Sequence, residues 1–139
     1  MIDIQKAFDA MANASKDTRS GYHVTLGEMI DQLGKAKPSA LVYCADPGRE
    51  AYLGKVSSYR GYYSDLAFDP VQEQRTVADV LAECIAARGK TFEGYKGGEF
   101  VMEADTPLWI SEYSMASGQA IIAIEDRGDA VFVITKQID

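Results

Sequence analysis

Two segments of this chain place apolar residues three or four positions apart, the spacing of one face of a helix. The first apolar stripe consists of Leu26, Met29, Ile30 and Leu33. Thr25 and Glu28 stand at its start as a capping box, in which each side chain bonds the backbone amide of the other residue. Gly34 follows the last apolar position, so we expect the first helix to end there.

The second helical segment repeats this arrangement fifty residues further along the chain. Thr76 and Asp79 form the second capping pair, and Gly89 follows the stripe as a left-handed cap. The stripe itself consists of Val77, Val80, Leu81, Cys84 and Ile85. We expect both helices to lay an apolar face on a common core.

The other apolar segments predict β-strands. They cover residues 40–45, 52–56, 66–69, 100–102, 108–113, 120–125 and 130–135. Pro70 ends the third strand, and Asp126 to Asp129 form a hairpin turn. Trp109 stands in an alternating strand, where we expect a core position with its indole N–H bonded at the sheet margin. The sequence predicts an α+β fold, a mainly antiparallel sheet covered by two helices.

The first 20 residues are set apart from this pattern. Ile4, Ala7, Phe8 and Met11 have helical spacing, and a polar linker follows them. We expect residues 1–20 to form an extra N-terminal helix with its linker, and residues 21–139 to form a single α+β domain. The amphipathic face of the N-terminal helix favours a contact between copies of the chain.

Composition and charge exclude several classes of partner. The chain has 139 residues, a formal net charge of −7 and a sequence pI of about 4.7, which does not suit DNA or RNA polymers. A small anion is still an acceptable ligand, because the local field decides its binding. The sequence shows neither an apolar run long enough to span a bilayer nor a signal peptide, so we expect no membrane contact. Cys44 and Cys84 are expected to be buried thiols.

Two stretches contain side chains that a simple chain reversal does not need. Ser57 to Ala67 includes three tyrosines and Arg60, and Thr91 to Gly98 includes two aromatic residues, one lysine and three glycines. Aromatic faces, a cation and exposed backbone amides suit a flat base attached to phosphate. We therefore expect the two stretches to meet over such a ligand. The alternative is that both are packed turns whose tyrosines cover the end of a sheet.

The sequence favours binding over catalysis. It contains no hydrolase, metalloprotease or nucleotide-binding consensus motif, and His23 fits no ligand or base pattern. We expect neither a metal nor a cofactor. One rival hypothesis is an enzyme that cleaves a cyclic nucleotide with an acid–base pair drawn from Glu99, Glu103, Asp105 and Asp65. The other is an adaptor or structural protein that uses its tyrosine-rich turns as a protein-binding face.

Three motifs carry a resemblance to a known family. They are S-Y-R-G-Y-Y-S-D-L-A from Ser58, T-F-x-G-Y-K-G-G-E-F-x-M from Thr91 and D-T-P-L-W-x-x-x-Y from Asp105. In these motifs the chain resembles the Thoeris anti-defence sponge proteins encoded by phages. The likeness runs from about Thr25 to the C-terminus, and the first 20 residues lie outside it.

The resemblance implies a phage protein that acts as a homo-oligomer in the cytoplasm of the infected bacterium. It implies that the protein sequesters cyclic ADP-ribose-type signals, made by host TIR-domain enzymes, without cleaving them. Some relatives hold other cyclic nucleotides at a separate site, so a cyclic oligonucleotide is a further candidate ligand. Arg60 and Phe92 match family positions, whereas Gln119 stands where the family often has an arginine. The predicted ligand-binding set is Tyr59, Arg60, Tyr62, Phe92, Tyr95, Lys96, Gly97, Gly98, Asp105 and Gln119.

Overall fold

A computed structural model describes residues 23–46, 49–60, 62–94, 97–112 and 115–138. Within these ranges the fold is α+β, as predicted. The elements are α1 (Leu26–Lys35), β1 (Leu41–Asp46), β2 (Arg49–Ser58), β3 (Leu66–Val71), α2 (Val77–Ala87), β4 (Thr91–Glu93), β5 (Glu99–Val101), β6 (Leu108–Glu112), β7 (Met115–Asp126) and β8 (Ala130–Gln137). The predicted N-terminal helix lies outside the described residues. No helix in the described ranges combines the length and apolarity that crossing a membrane requires.

Six strands close into a barrel in the order β1-β2-β3-β6-β7-β8. Four of the six pairings are antiparallel, while β1 with β8 and β3 with β6 are parallel. The mainly antiparallel character was predicted, whereas closure of the sheet was not. Closure gives every strand of the barrel two neighbours, so its backbone amides and carbonyls are paired within the sheet. The short strands β4 and β5 form a separate two-stranded hairpin.

The main hydrophobic core joins one face of the barrel strands to both helices. Because side chains alternate along a strand, Leu66 and Phe68 of β3 point to the same face, as do Leu108 and Ile110 of β6. The helices contribute Leu26, Met29, Leu33, Val77, Val80, Cys84 and Ala87. The intervening strand residues therefore belong to the opposite face, and a second, smaller cluster forms there.

Both predicted capping boxes are present. The Thr25 amide bonds Glu28 Oε1 at 3.0 Å, and the Glu28 amide bonds Thr25 Oγ1 at 3.3 Å. The matching distances between Thr76 and Asp79 are 3.1 and 3.2 Å. These bonds satisfy amides that the first turn of a helix leaves without an intrahelical partner. Gly89 has the predicted left-handed conformation, with φ of 82°.

Two predictions at the edges of these elements were wrong. Ile85 is 55% exposed, because the buried face of α2 passes through Cys84 and Ala87 and leaves Ile85 on the next face round the helix. Pro70 lies within β3, opposite Leu53, and does not end that strand. The pairing of β3 with β6 reaches only Phe68, so the missing N–H of Pro70 removes no bond from that ladder.

The two cysteines are buried, as predicted, and neither is in a disulfide. Burial, with a smaller contribution from the negative charge of Glu83, raises the pKa of the Cys84 thiol from 9.0 to about 12. An unfolded chain loses this proton near pH 9, while the folded chain keeps it. The folded state then binds more protons, so the free energy of unfolding falls as the pH rises from 9 towards 12.

We predict that Cys84→Ala reduces the alkaline loss of stability. The variant lacks the thiol, so its free energy of unfolding should fall less steeply above pH 9, by up to about 1.4 kcal/mol per pH unit. Urea unfolding of both proteins at a series of alkaline pH values measures the two slopes. Comparing slopes cancels the pH-independent cost of the cavity that alanine leaves. Equal slopes would contradict the prediction.

Candidate functional site

The candidate site is built over Trp109, which lies on the barrel face opposite the main core. Trp109 is paired in register with Ala67 of β3 and Ala120 of β7, so the indole has a methyl group on either side. Such small neighbours leave room above the sheet for other rings. The indole is nevertheless fully buried, which confirms its predicted core position.

Three rings from outside the strands cover this indole. Tyr59 stacks on Trp109 with centroids 4.4 Å apart and planes 6° apart, and Tyr62 stacks at 5.6 Å and 29°. The His23 ring lies 4.6 Å from the indole in a tilted arrangement. These contacts correspond to the alternative interpretation in which the tyrosines cover a sheet. Stacked and tilted aromatic pairs add stability beyond the area they bury, about 0.5–1.5 kcal/mol each.

Tyr59 is a core residue, and this corrects its assignment to the ligand-binding set. It is only 1% exposed, because one face of its ring lies on Trp109 and the loop closes around it. Its hydroxyl accepts a hydrogen bond from the Gly118 amide at 2.9 Å. A ligand has no access to this ring without a rearrangement of the loop. Tyr62, two positions beyond Arg60, keeps a partly exposed ring.

Residues 59–65, here called the tyrosine loop, are closed by their own backbone. The Tyr59 amide bonds the Asp65 carbonyl at 2.9 Å, and the Asp65 amide bonds the Tyr62 carbonyl at 2.8 Å. The buried Asp65 carboxylate accepts the Trp109 Nε1–H at 2.9 Å. The indole N–H is thus hydrogen-bonded, as the sequence predicted. The bond gives Asp65 a structural role in seating the loop on the sheet.

The β4–β5 hairpin contacts the tyrosine loop, as the sequence predicted for these two stretches. The ring of Tyr63 lies 6.0 Å from that of Phe100 in β5. A Cβ added to Gly94 would lie 3.2 Å from Tyr63 Cγ, 3.0 Å from the Gly97 carbonyl oxygen and 3.0 Å from the Phe100 ring. A side chain at this position would therefore crowd both the hairpin and the Tyr63 ring. Gly94 therefore permits the contact between the two stretches.

Phe92 is partly buried in the hairpin, where it packs against the main core and pairs in register with Phe100. The ammonium group of Lys90 lies 5.2 Å from the centre of the Phe92 ring, which is a cation–π contact. The predicted ligand-binding set did not include Lys90, Tyr63 or Phe100. The two-residue spacing of Lys90 and Phe92 could have predicted their contact, since alternate residues of a strand share a face.

The turn of this hairpin presents two glycines to solvent. Gly97 and Gly98 have φ of 96° and 88°, a region that other residues adopt only with strain. The Gly97 amide bonds the Gly94 carbonyl at 2.9 Å, and the Gly94 amide bonds the Gly98 carbonyl at 3.0 Å. Both glycines are exposed, so a ligand can approach the main chain closely. Tyr95 and Lys96 of the predicted set lie outside the described residues.

The remaining members of the predicted set lie at different places. Arg60 is partly buried in the tyrosine loop, next to Tyr59. Gln119 lies in β7, where its side chain bonds Gln137, and it follows Gly118, whose amide bonds the Tyr59 hydroxyl. Gln119 is thus connected to the base of the loop and has no described contact with the hairpin turn.

Asp105 is exposed on the turn that precedes β6. This turn is fixed to the start of α1, since the Gly27 amide bonds the Ala104 carbonyl and the Leu26 amide bonds the Thr106 carbonyl, each at 2.9 Å. The contacts of the turn therefore place it against α1, and the contact between the tyrosine loop and the hairpin is made by other residues. The described residues include no group of three or more His, Cys, Asp or Glu side chains arranged to hold a metal ion.

Comparison of the chain with protein-family models, with curated proteins and with solved structures found no match. The site is therefore defined by its own geometry. It consists of a closed tyrosine loop seated on Trp109, which includes the partly exposed Arg60 and Tyr62, and a glycine-rich hairpin in contact with that loop.

We predict that Gly94→Ala separates the hairpin from the tyrosine loop. The added methyl group meets both a backbone oxygen and the Tyr63 ring, so we expect a loss of roughly 1–3 kcal/mol in the free energy of unfolding, the usual cost of overpacking. Urea unfolding measures this loss. The matched control is Gly34→Ala in α1, where a Cβ has nothing within 4 Å and the helix gains from alanine. Equal free energies of unfolding for the two variants would show that the close contacts of Gly94 do not contribute to stability.

Proposed function

We propose that this protein binds a small nucleotide of the cyclic ADP-ribose type and sequesters it without cleaving it. The observation that carries the proposal is the contact of the tyrosine loop with the glycine-rich hairpin, through Tyr63, Gly94 and Phe100. It joins the stretch that contains Arg60 and Tyr62 to the hairpin that contains Phe92, Gly97 and Gly98, and these are the kinds of group that a base joined to phosphates requires.

Each group has a distinct role in this proposal. Arg60 meets the phosphates, where a guanidinium can donate two parallel hydrogen bonds. Tyr62 offers a partly exposed ring for stacking on the base, a contact worth about 1–3 kcal/mol in nucleic-acid complexes. The exposed backbone at Gly97 and Gly98 lets phosphate oxygens come close to the main chain, where the Gly98 amide is the proposed donor, since the Gly97 amide bonds the Gly94 carbonyl. Phe92 and the Lys90 ammonium above it form the hairpin side of the site.

The surroundings of the carboxylates support binding over cleavage. Asp65 is buried and bonded to Trp109, so it serves the fold. Glu99, Glu103 and Asp105 are exposed, and the turn that carries Asp105 is bonded to α1. A protein that removes a signal by sequestration needs slow release above all, and a preformed site provides it.

The biological setting of the proposal follows from the resemblance described above. The protein would act for a phage in the cytoplasm of the infected bacterium, against a signal made by host TIR-domain enzymes. It would do so as a homo-oligomer, with the predicted N-terminal helix in a contact between copies. Gln119, which replaces an arginine common in the family, would alter the phosphate contacts and the choice among ligands, including cyclic oligonucleotides.

We predict that Arg60→Ala abolishes binding of cyclic ADP-ribose and leaves the fold intact. The change removes the phosphate-binding cation, and we expect the dissociation constant to rise by about a hundredfold, since hydrogen bonds to charged groups contribute roughly 1.5–3 kcal/mol. Isothermal titration calorimetry measures the affinity. Arg127→Ala is the matched control, because that arginine lies on another turn, paired with Glu125. Unchanged affinity in Arg60→Ala would reject the proposed role.

We predict that the bound nucleotide is recovered unchanged. Cyclic ADP-ribose held for hours with excess protein, released by denaturation and analysed by chromatography should give one peak. A product peak that disappears in Glu99→Ala, Glu103→Ala or Asp105→Ala would establish an enzyme instead.

We predict that Phe92→Ala weakens binding by roughly tenfold, the loss expected when one stacked ring is removed. Phe92→Trp should retain most of the affinity, since stacking requires an aromatic face and not a particular ring. The control is Phe132→Ala, which removes a partly buried phenylalanine that has Arg127 above its ring but lies in β8. A similar loss of affinity in both alanine variants would show that the effect is one of stability.

A further inference from the structure

Asp65 occupies a position where a carboxylate is costly. Its side chain is fully buried, and its Oδ2 accepts the Trp109 Nε1–H at 2.9 Å. Removing an ionised carboxylate from water carries a large desolvation penalty unless hydrogen bonds offset it. The hydrogen bonds that Asp65 makes must therefore offset the cost of burying its side chain.

Those bonds connect every part of the tyrosine loop to one point of the sheet. Through its main chain, Asp65 bonds the amide of Tyr59 and the carbonyl of Tyr62. Through its side chain it bonds Trp109, the residue on which both tyrosine rings stack. Ser58 adds a hydrogen bond from its hydroxyl to the Tyr63 carbonyl at the neck of the loop. The stacking of Tyr59 and Tyr62 and the hydrogen bond of the Asp65 side chain thus converge on a single indole.

Arg60 gains its position from this arrangement. It directly follows Tyr59, whose ring and hydroxyl are both fixed, and it precedes Tyr62, whose carbonyl is held by Asp65. The main chain is therefore held on both sides of Arg60, while its side chain is only partly buried. A ligand that binds Arg60 does not need to order the loop first, which lowers the entropic cost of association.

We infer that Asp65 is a positioning residue for the ligand site: its bond to Trp109 holds the tyrosine loop on the sheet so that Arg60 and Tyr62 meet the nucleotide in a fixed geometry. The inference rests on the proposed function for the identity of the ligand. It also makes a claim that is independent of any ligand, namely that this one bond sets the conformation of residues 59–60 and 62–65.

The first test needs no ligand. Amide hydrogen exchange of Tyr59 and Asp65, the two amides that close the loop, should be at least about tenfold faster in Asp65→Ala than in the wild type, since local opening sets the exchange rate. Amides of β7 and β8 should be unchanged. The matched control is Asp69→Ala, which removes a carboxylate of β3, the strand that follows Asp65, where Ser111 of β6 bonds it. Loop amides that stay as protected in Asp65→Ala as in the wild type would overturn the inference.

A second pair of variants keeps the test decisive if Asp65→Ala does not fold. Asp65→Asn keeps an oxygen that can accept the indole N–H, and Trp109→Phe keeps a ring for stacking but removes the donor. We expect Asp65→Asn to protect the loop amides to within about threefold of the wild type, and Trp109→Phe to expose them. The opposite order would contradict the inference.

The third test measures the dissociation constant of cyclic ADP-ribose. Asp65→Ala should raise it by about tenfold or more in the wild-type background, and by a smaller factor when Arg60→Ala is already present, because only the contribution of Tyr62 is then lost. If Asp65→Ala instead raises the dissociation constant by the same factor in both backgrounds, Asp65 acts on the whole fold and not through Arg60. If the wild type does not bind cyclic ADP-ribose, the proposed function fails. In that case the exchange experiments still decide whether Asp65 fixes the loop.

Discussion

Burial of one tryptophan determines how this site is built. Trp109 lies on the barrel face that the helices do not cover, between two alanines of the neighbouring strands. An indole of this size is left open by such small neighbours, so other rings must cover it. The tyrosine loop supplies two of them, and the carboxylate of Asp65 satisfies the indole N–H. The loop is therefore held by packing and by hydrogen bonding at the same residue.

This arrangement divides the tyrosine-rich stretch into residues with a packing role and residues with a proposed role in ligand binding. Tyr59 is fully occupied by Trp109 and Gly118, and Tyr63 forms the contact with the hairpin. Arg60 and Tyr62 remain partly exposed beside them. The packed residues explain why the stretch is rich in tyrosine, and the partly exposed ones carry the proposed ligand contacts. The two interpretations of the sequence are thus complementary and apply to different residues.

Local signals in the sequence predicted the local structure well. The capping boxes, the left-handed Gly89, the Asp126 to Asp129 turn and the core position of Trp109 all depend on residues close together in the chain. Closure of the barrel depends on which strands pair across long distances, and strand patterns do not specify partners. The parallel pairs that close it join strands separated by a whole helix and hairpin, or by most of the domain.

The site was predicted less well for a related reason. A loop has no periodicity, so the sequence does not show which of three neighbouring tyrosines faces inward. Asp105 was included through its place in a motif, although hydrogen bonds fix its turn to α1. Lys90 and Phe100 were missed because their roles come from pairing across the hairpin, where Phe92 faces Phe100. What remained predictable was that two unusual stretches would come into contact.

The central claim is that the loop seated on Trp109 is the element that binds the nucleotide. Trp109 is the only tryptophan of the chain, so its fluorescence reports on this loop alone. Titration of the wild type with cyclic ADP-ribose should change the emission of Trp109 in a saturable way, because Tyr62 stacks on the indole and is the residue proposed to stack on the ligand. The same titration of Arg60→Ala should give no change. A wild-type emission spectrum unaffected by saturating nucleotide, or an equal change in Arg60→Ala, would contradict this account.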